Sequence, residues 1–394
     1  MALLKKILIV SPITCYPPFF GNSARIAAFI AYLQQADVDF RYLHLPESPF
    51  DPAPMQAKLG DKYLYETYRP RKEVIYKLRI RAIQSLFSRK PGRIIKIDDF
   101  VQRQDIARYK KALAHFKPDT VLINYTYLSR LFDYTPSGIE RILDTHDSLH
   151  LRFKQLYQKG PKLGQFRIDV RDEIWGLNRA HKVISIQSAE TQFFQSNGCL
   201  RKLYTIGHLT DYRPGPVNEH RYKLLYIGAH YSANVDALHH FITDIWPLLL
   251  TRYPQLTCYI AGGIVKAFPF LSTDKNIQLL GYVTDLAALY GQVDIAINPV
   301  RNGSGLKIKN IEALSYGVPV VTTTIGADGL TNFQDRGLYI AHTPVEWVQK
   351  IGQLCNTDSR FYTDAVGSIA VAFAEYTEAN KQQLHHLFTD SYEQ

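Results

Sequence analysis

Between Asn298 and Leu330 the chain reads NPVRNGSGLKIKNIEALSYGVPVVTTTIGADGL, and the spacing of its glycine, lysine and glutamate residues suits a phosphorylated ligand. Gly303-Ser304-Gly305 is a tight glycine turn, Asp294 to Asn298 before it reads as a strand, and Leu306 to Tyr316 after it has the composition of a helix. A strand, a glycine loop and a helix N-terminus together cradle phosphate. The first amides of a helix have no partner inside it, and the helix dipole places positive charge at the same point. Lys307 and Lys309 add charge for a diphosphate. Glu312 lies about one turn deeper, where a carboxylate accepts two hydrogen bonds from a ribose diol. The pattern alone leaves a second reading open, an ordinary strand-to-helix turn with solvated lysines. It is neither a Walker A loop nor a GxGxxG fingerprint, because Ile308 holds the last glycine position.

A second group is Asp144-Thr145-His146-Asp147, directly after the apolar run of a short strand. In open α/β sheets ligands sit at the carboxyl ends of strands, so His146 and Asp147 are candidates for the ligand face. The alternative is a helix N-cap by Asp147 beside a packed histidine. Four cysteines, Cys15, Cys199, Cys258 and Cys355, lie far apart with no metal-ligand spacing, so neither a disulfide framework nor a cysteine metal site is expected.

These residues need a scaffold that presents strand ends, and the chain supplies it twice. Ile7 to Val10 is a β-branched run ending at Ser11-Pro12; a Pro/Gly loop, a helical stretch from Asn22 to Gln34 and a strand from Phe40 to Leu45 follow. Thr120 to Asn124, Arg141 to Asp144 and Lys182 to Ile186 continue the series. The polar segment Asp211 to Arg221, with two prolines and a glycine, reads as a linker, after which the pattern restarts at Lys223 to Gly228. A helix from Val235 to Leu250 and strands at Leu256 to Ala261, Ile277 to Leu280, Asp294 to Asn298 and Val318 to Thr322 complete it. The expectation is an α/β protein with two Rossmann-like domains, residues 1–210 and 211–360, facing across a cleft, plus a C-terminal helical segment, 361–394, crossing back to the first domain.

The chain has 394 residues and a formal net charge of +10. Eleven Lys/Arg against two acids lie between Lys62 and Lys96, and six against one between Arg152 and Arg171. The remainder is slightly acidic. Both basic segments fall in the first half, which points to an anionic partner of that half and not to nucleic acid, for which no recognition motif is present. Arg71 to Phe87 reads as an imperfect amphipathic helix, suited to packing on its own domain or to an anionic membrane surface. The N-terminal run is too short for a signal peptide, and no apolar run is long enough to span a bilayer, so a cytoplasmic protein with at most peripheral membrane contact is expected.

The Asn298 to Leu330 segment resembles the donor-binding motif of glycosyltransferase family 4, one branch of which reads roughly GxGxxxKxxEAxxxGxPVVxTxxGxxGL. Gly303, Gly305, Lys309, Glu312, Ala313, Gly317, Pro319, Val320, Val321, Thr323, Gly326, Gly329 and Leu330 match in order. Gly228 to Pro247, with Asn234-x-Asp236, and the Gly281-Tyr282-Val283 loop resemble further parts of that family, as does Pro17-Pro18-Phe19-Phe20-Gly21-Asn22 after the first strand. The resemblance implies the GT-B fold and a retaining transferase using a nucleotide-diphosphate sugar. It implies ribose binding by Glu312 and diphosphate binding by Lys309 with Lys307. The amides near Gly303, Ser304, Gly305 and Leu306 would cap the phosphate, Tyr282 and Val283 would meet the base, and Gly21 and Asn22 would approach the phosphate. His146 and Asp147 would serve the reacting sugar, orienting or deprotonating the acceptor hydroxyl.

Two departures stand out. Ser304 replaces the acid of the family's E-x7-E motif, and the usual basic residue after the first strand of the donor domain is absent, His230 and Asn234 lying near its place. Asp37-Val38-Asp39 matches the DxD manganese signature of the other glycosyltransferase fold, but it precedes a strand and reads as a turn. The expected function is transfer of a sugar to a hydroxyl of a glycan or lipid-linked acceptor in polysaccharide or lipopolysaccharide synthesis, with no metal and no cofactor beyond the donor. A sugar-nucleotide epimerase of the same fold and a non-catalytic binding protein are the alternatives.

Overall fold

The computed structural model describes residues 6–18, 20–68, 93–94, 96–158, 166–217, 221–356 and 360–390. The amphipathic helix expected over Arg71 to Phe87 lies outside them. The chain divides into two compact units, one of Met1–Pro18, Asn22–Thr205 and Leu387–Gln394, the other of Phe19–Gly21 and Ile206–His386.

The first unit is built on strands β1 (Ile7–Ser11), β2 (Phe40–His44), β3 (Tyr63–Leu64), β4 (Thr120–Asn124), β5 (Glu140–Asp144), β6 (Lys182–Ser185) and β7 (Lys202–Thr205), in the order β3-β2-β1-β4-β5-β6-β7. All pairings are parallel. Strands β1 and β4 are buried at every position, as expected where helices cover both faces of a sheet, and this is why they read as unbroken apolar runs. The strand order reverses between β1 and β4, so the loops leaving their carboxyl ends diverge there and open the ligand-binding crevice of this topology.

The second unit repeats the plan with β8 (Lys223–Ile227), β9 (Thr257–Ala261), β10 (Ile277–Gly281), β11 (Ile295–Asn298), β12 (Val320–Thr322) and β13 (Leu338–Ile340), ordered β10-β9-β8-β11-β12-β13 and parallel throughout. Its core joins Leu224, Tyr226, Ile260 and Ile295 of the sheet to Leu238, Phe241, Leu249, Trp347 and Ile351 of the helices. The helix expected over Val235 to Leu250 is broken into Ser232–His240, a π-helical turn Phe241–Ile245 and Trp246–Arg252. Pro247 lacks an amide and forces the register change.

Among the described residues five strands escaped the sequence reading: β3, β7 and β13, each a short edge strand, and the pair Arg93–Ile94 and Phe166–Arg167, which form a two-stranded parallel sheet of their own. An edge strand covers little apolar surface and leaves little periodicity to read. The segment read as a linker is partly packed: Arg213 N donates to Ser315 O (2.7 Å) and Gly215 N to Tyr316 O (3.1 Å), and the chain divides earlier, after Thr205. The final helix spans Phe361–Thr389. Its end groups with the first unit, where the buried Lys182 ammonium donates to Leu387 O (2.6 Å) and Asp390 O (2.7 Å) and pairs with Glu140 (2.6 Å). A cation suits the free carbonyls and negative dipole end of a helix C-terminus.

Candidate active site

In the second unit the glycine loop leaves the carboxyl end of β11, and the helix that follows is Ile308–Ser315, with Lys307 as its N-cap residue. This start is later than the expected Leu306, because Gly305 takes φ +75° and Lys307 φ −88°, ψ 89°, neither helical. Gly303 has φ +125°, a backbone conformation that L side chains rarely adopt, although nothing crowds the place a Cβ would take. The loop is fixed from below by a buried amide ladder. Asn298 Nδ2 donates to Asn310 Oδ1 (3.0 Å), and Asn310 Nδ2 to Gly326 O (2.8 Å). A Cβ at Gly326 would lie 1.8 Å from Thr322 Oγ1, so only glycine lets the GADGL turn close on β12. From the side, Arg301 pairs with Asp236 at 2.8 Å and Asn302 Nδ2 donates to the same carboxylate.

Lys309 and Glu312 are both half-buried on this helix. Lys309 Nζ lies 4.7 Å from the centre of the Tyr226 ring and donates to Asn234 Oδ1 at 3.3 Å. Asn234 is itself held, its Nδ2 donating to Ala229 O and its carbonyl accepting from the Tyr226 hydroxyl. Loss of hydration, with the Lys307 charge nearby, lowers the Lys309 pKa to about 7. Loss of hydration raises that of Glu312 to about 7 against the pull of Lys309. Desolvated groups of opposite charge, poised near neutrality at a helix N-terminus, are the electrostatics of a ligand site.

The remaining donor-side residues gather at the ends of β8, β9 and β10. Gly262 N donates to Gly281 O (2.5 Å), and Ile264 N to Gly228 O (3.0 Å). A Cβ at Gly263 would lie 2.7 Å from the Tyr282 hydroxyl and 3.4 Å from His230 N, so this glycine makes room for Tyr282 beside His230. Tyr282 and His230 are exposed and Val283 is half-buried. Gly21, which the division groups with this unit, sits against Ile308 at the helix start, a Cβ there lying 3.4 Å from Ile308 Cδ1.

In the first unit, Asp144 at the end of β5 accepts a two-pronged bond from Arg25 (3.0 and 3.1 Å), with both side chains buried. His146 follows, with φ +61°, and its ring stacks on Tyr125, φ +73°, at 4.3 Å. Two non-glycine residues at positive φ in contact is the kind of backbone strain that collects at functional sites. Asn22 Nδ2 donates to the Tyr125 hydroxyl at 2.9 Å. Asn124 Nδ2 donates to Val10 O, which turns Asn124 Oδ1 toward His146 Nε2 at 2.7 Å. An amide oxygen only accepts, so Nε2 carries the proton and Nδ1 the lone pair. Burial lowers the His146 pKa to about 4, which keeps the imidazole neutral near pH 7.

Asp147 pairs with Arg152 at 2.7 Å. At the start of the following helix, Leu149–Gln158, Glu173 accepts from Leu149 N (2.7 Å) and His150 N (2.9 Å), while Glu190 accepts from Ser148 N (3.3 Å). Burial raises Glu173 to about 7 and Glu190 to about 8. Asp37, read as part of a turn, has φ +54°, and Asp39 pairs with Arg41. Among the described residues no group of His, Cys, Asp or Glu is arranged to hold a metal ion.

The structure thus brings Lys309, Glu312, Asn234 and the glycine loop together in one unit, and His146, Asp147 and Asn22 into another group. Sequence reasoning missed Arg25, Asn124, Tyr125, Arg301 and the Asn298–Asn310 ladder. A lone arginine on the apolar face of the helix Gly21–Gln35 was the one available signal, since a buried charge needs a partner.

Residues 221–357 match the family model for glycosyl transferases group 1. The chain carries a glycosyltransferase domain, and its two parallel α/β units have the GT-B fold. A relative from the cps region of Klebsiella pneumoniae, described as an uncharacterised 44.6 kDa protein, is 24% identical over 365 residues, 88% of this chain and 90% of that one. Among solved structures, TarM of S. aureus superposes with a TM-score of 0.71 at 13% identity, covering 99% of each chain. Anabaena HepE, solved with UDP, gives 0.65 at 15% identity over 97% of this chain and 99% of its own.

Proposed function

We propose that the chain is a retaining glycosyltransferase of the family-4 type that moves a sugar from a nucleotide-diphosphate sugar to a hydroxyl of a glycan or lipid-linked acceptor. The observation that carries this reading is the glycine loop that leaves the carboxyl end of β11 and enters the helix bearing Lys309 and Glu312, with Lys309 held by Asn234 and Tyr226. The amides of the loop and the Lys309 ammonium hold the diphosphate, which becomes the leaving group, and stabilise the charge that grows on it. Glu312 accepts from the ribose hydroxyls. Neutral His146, its tautomer set by Asn124, offers Nδ1 to orient the acceptor hydroxyl or to stabilise positive charge at the anomeric carbon. In a front-face mechanism the departing phosphate takes the acceptor proton, and no protein base is required.

TarM has been solved with UDP and α-GlcNAc-glycerol, and HepE with UDP-glucose, which supports UDP as the first nucleotide to test. The cps-region relative supports a place in cell-surface polysaccharide synthesis. Turnover of a panel of nucleotide sugars, with polysaccharide and lipid-linked acceptors and with EDTA present, tests the reading. Transfer that survives EDTA and is lost in Glu312→Ala is the expected result. Epimerised donor, or no turnover of any donor, sinks it. The two basic segments further support peripheral docking on an anionic membrane from the cytoplasmic side; equal failure to float with neutral and anionic liposomes would refute that.

A further inference from the structure

The resemblance placed Lys307 on the diphosphate, but the Lys307 side chain turns back on its own loop. Its Nζ donates to Gly303 O (3.2 Å), Ser304 O (3.2 Å) and Gly305 O (2.6 Å). An ammonium has three donors, enough to serve all three carbonyls. In a planar trans peptide the carbonyl of one residue and the amide of the next point in opposite directions. Carbonyls 303, 304 and 305 drawn to one side therefore send the amides of Ser304, Gly305 and Leu306 to the other. Gly303 at φ +125° and Gly305 at φ +75° let the loop bend with its carbonyls inward, which leaves the three amides on its outer side as separate donors.

We propose that Lys307 is a positioning residue that clamps the carbonyl side of the glycine loop, so that the amides of Ser304, Gly305 and Leu306 are presented to the donor diphosphate. The proposal rests on the donor-site reading above and reassigns Lys307 within it. Lys309 is the side-chain ligand of the diphosphate; Lys307 acts from behind the loop.

The test compares the full-length wild type with Lys307→Met, Lys307→Arg and Lys309→Met, by hydrogen–deuterium exchange without ligand and by calorimetric titration with UDP and with uridine. Expected for Lys307→Met is about tenfold faster exchange over residues 303–306 and a loss of UDP affinity of about tenfold with uridine affinity unchanged. Lys307→Arg, which restores donors to the carbonyls, recovers most of both. Lys309→Met weakens UDP while exchange stays at the wild-type rate. Weaker UDP binding by Lys307→Met with unchanged exchange would make Lys307 a direct phosphate ligand and overturn the clamp. Faster exchange with unchanged UDP affinity would overturn it too, because the ordered loop would then not serve the phosphate. Wild-type protein that binds no UDP, GDP or ADP defeats the donor-site reading instead, and the exchange data judge the clamp separately.

Discussion

Replacing Lys309 by methionine keeps most of the side-chain volume and removes the charge. The ammonium sits over the Tyr226 ring at 4.7 Å with one hydrogen bond, to Asn234. That is thin compensation for a desolvated cation, and it explains a pKa lowered from 10.5 to about 7. A diphosphate supplies the missing partner. Charge-assisted hydrogen bonds contribute about 1.5–3 kcal/mol, so Lys309→Met is expected to weaken UDP binding by about 10- to 150-fold. The ligand-free protein should lose no thermal stability, since the substitution also removes the cost of burying charge.

The sign of the pH dependence follows from the same geometry. Near pH 7 the ligand-free protein carries Lys309 partly neutral, and an arriving diphosphate raises its pKa, so binding takes up a proton. UDP affinity therefore falls as pH rises through about 7, where the ligand-free lysine gives up its proton. Calorimetry in buffers of low and high ionisation enthalpy measures that proton: the dependence of the apparent enthalpy on the buffer differs between the wild type and Lys309→Met by the proton that Lys309 takes up. Affinity within about twofold of wild type in the variant, or affinity that increases with pH across this range, would refute the reasoning.

Three further outcomes are expected. His146→Ala abolishes most transfer while leaving UDP affinity intact, and in the wild type protonation of His146 limits activity near pH 4 and not near 6.5, which a pH–rate profile reads. Arg25→Met leaves Asp144 buried without its two-pronged partner and costs about 3–5 kcal/mol in urea unfolding. Glu190, whose folded pKa of about 8 stands above its ordinary 4.5, contributes stability that is complete below 4.5 and is lost as pH rises through 8. Glu190→Gln should therefore lessen the decline in stability on the alkaline side, followed by melting temperature against pH.

The fold was largely legible because buried parallel strands are written as short β-branched runs. Thr120–Asn124 was located to the residue, and β1, β2, β5 and β8 to within one or two. The glycine–lysine–glutamate stretch was legible for a related reason, since a helix N-terminus that meets a phosphate constrains residues close together in sequence. The His146 site was only half legible. His146 and Asp147 are adjacent in the chain, but the groups that define the imidazole come from β4, from the helix Gly21–Gln35 and from the loop after β4.

By itself the sequence determined the two-unit α/β plan and the local chemistry of the donor loop, because hydrophobic period and turn residues act over a few positions. Only the tertiary structure decided which lysine faces which way. Lys307 and Lys309 are two residues apart and read alike, yet one donates to three loop carbonyls and the other crosses to Asn234 and Tyr226 from a different strand-helix segment. A charged side chain takes its role from the dipoles packed around it, and those are fixed by strand order and loop closure.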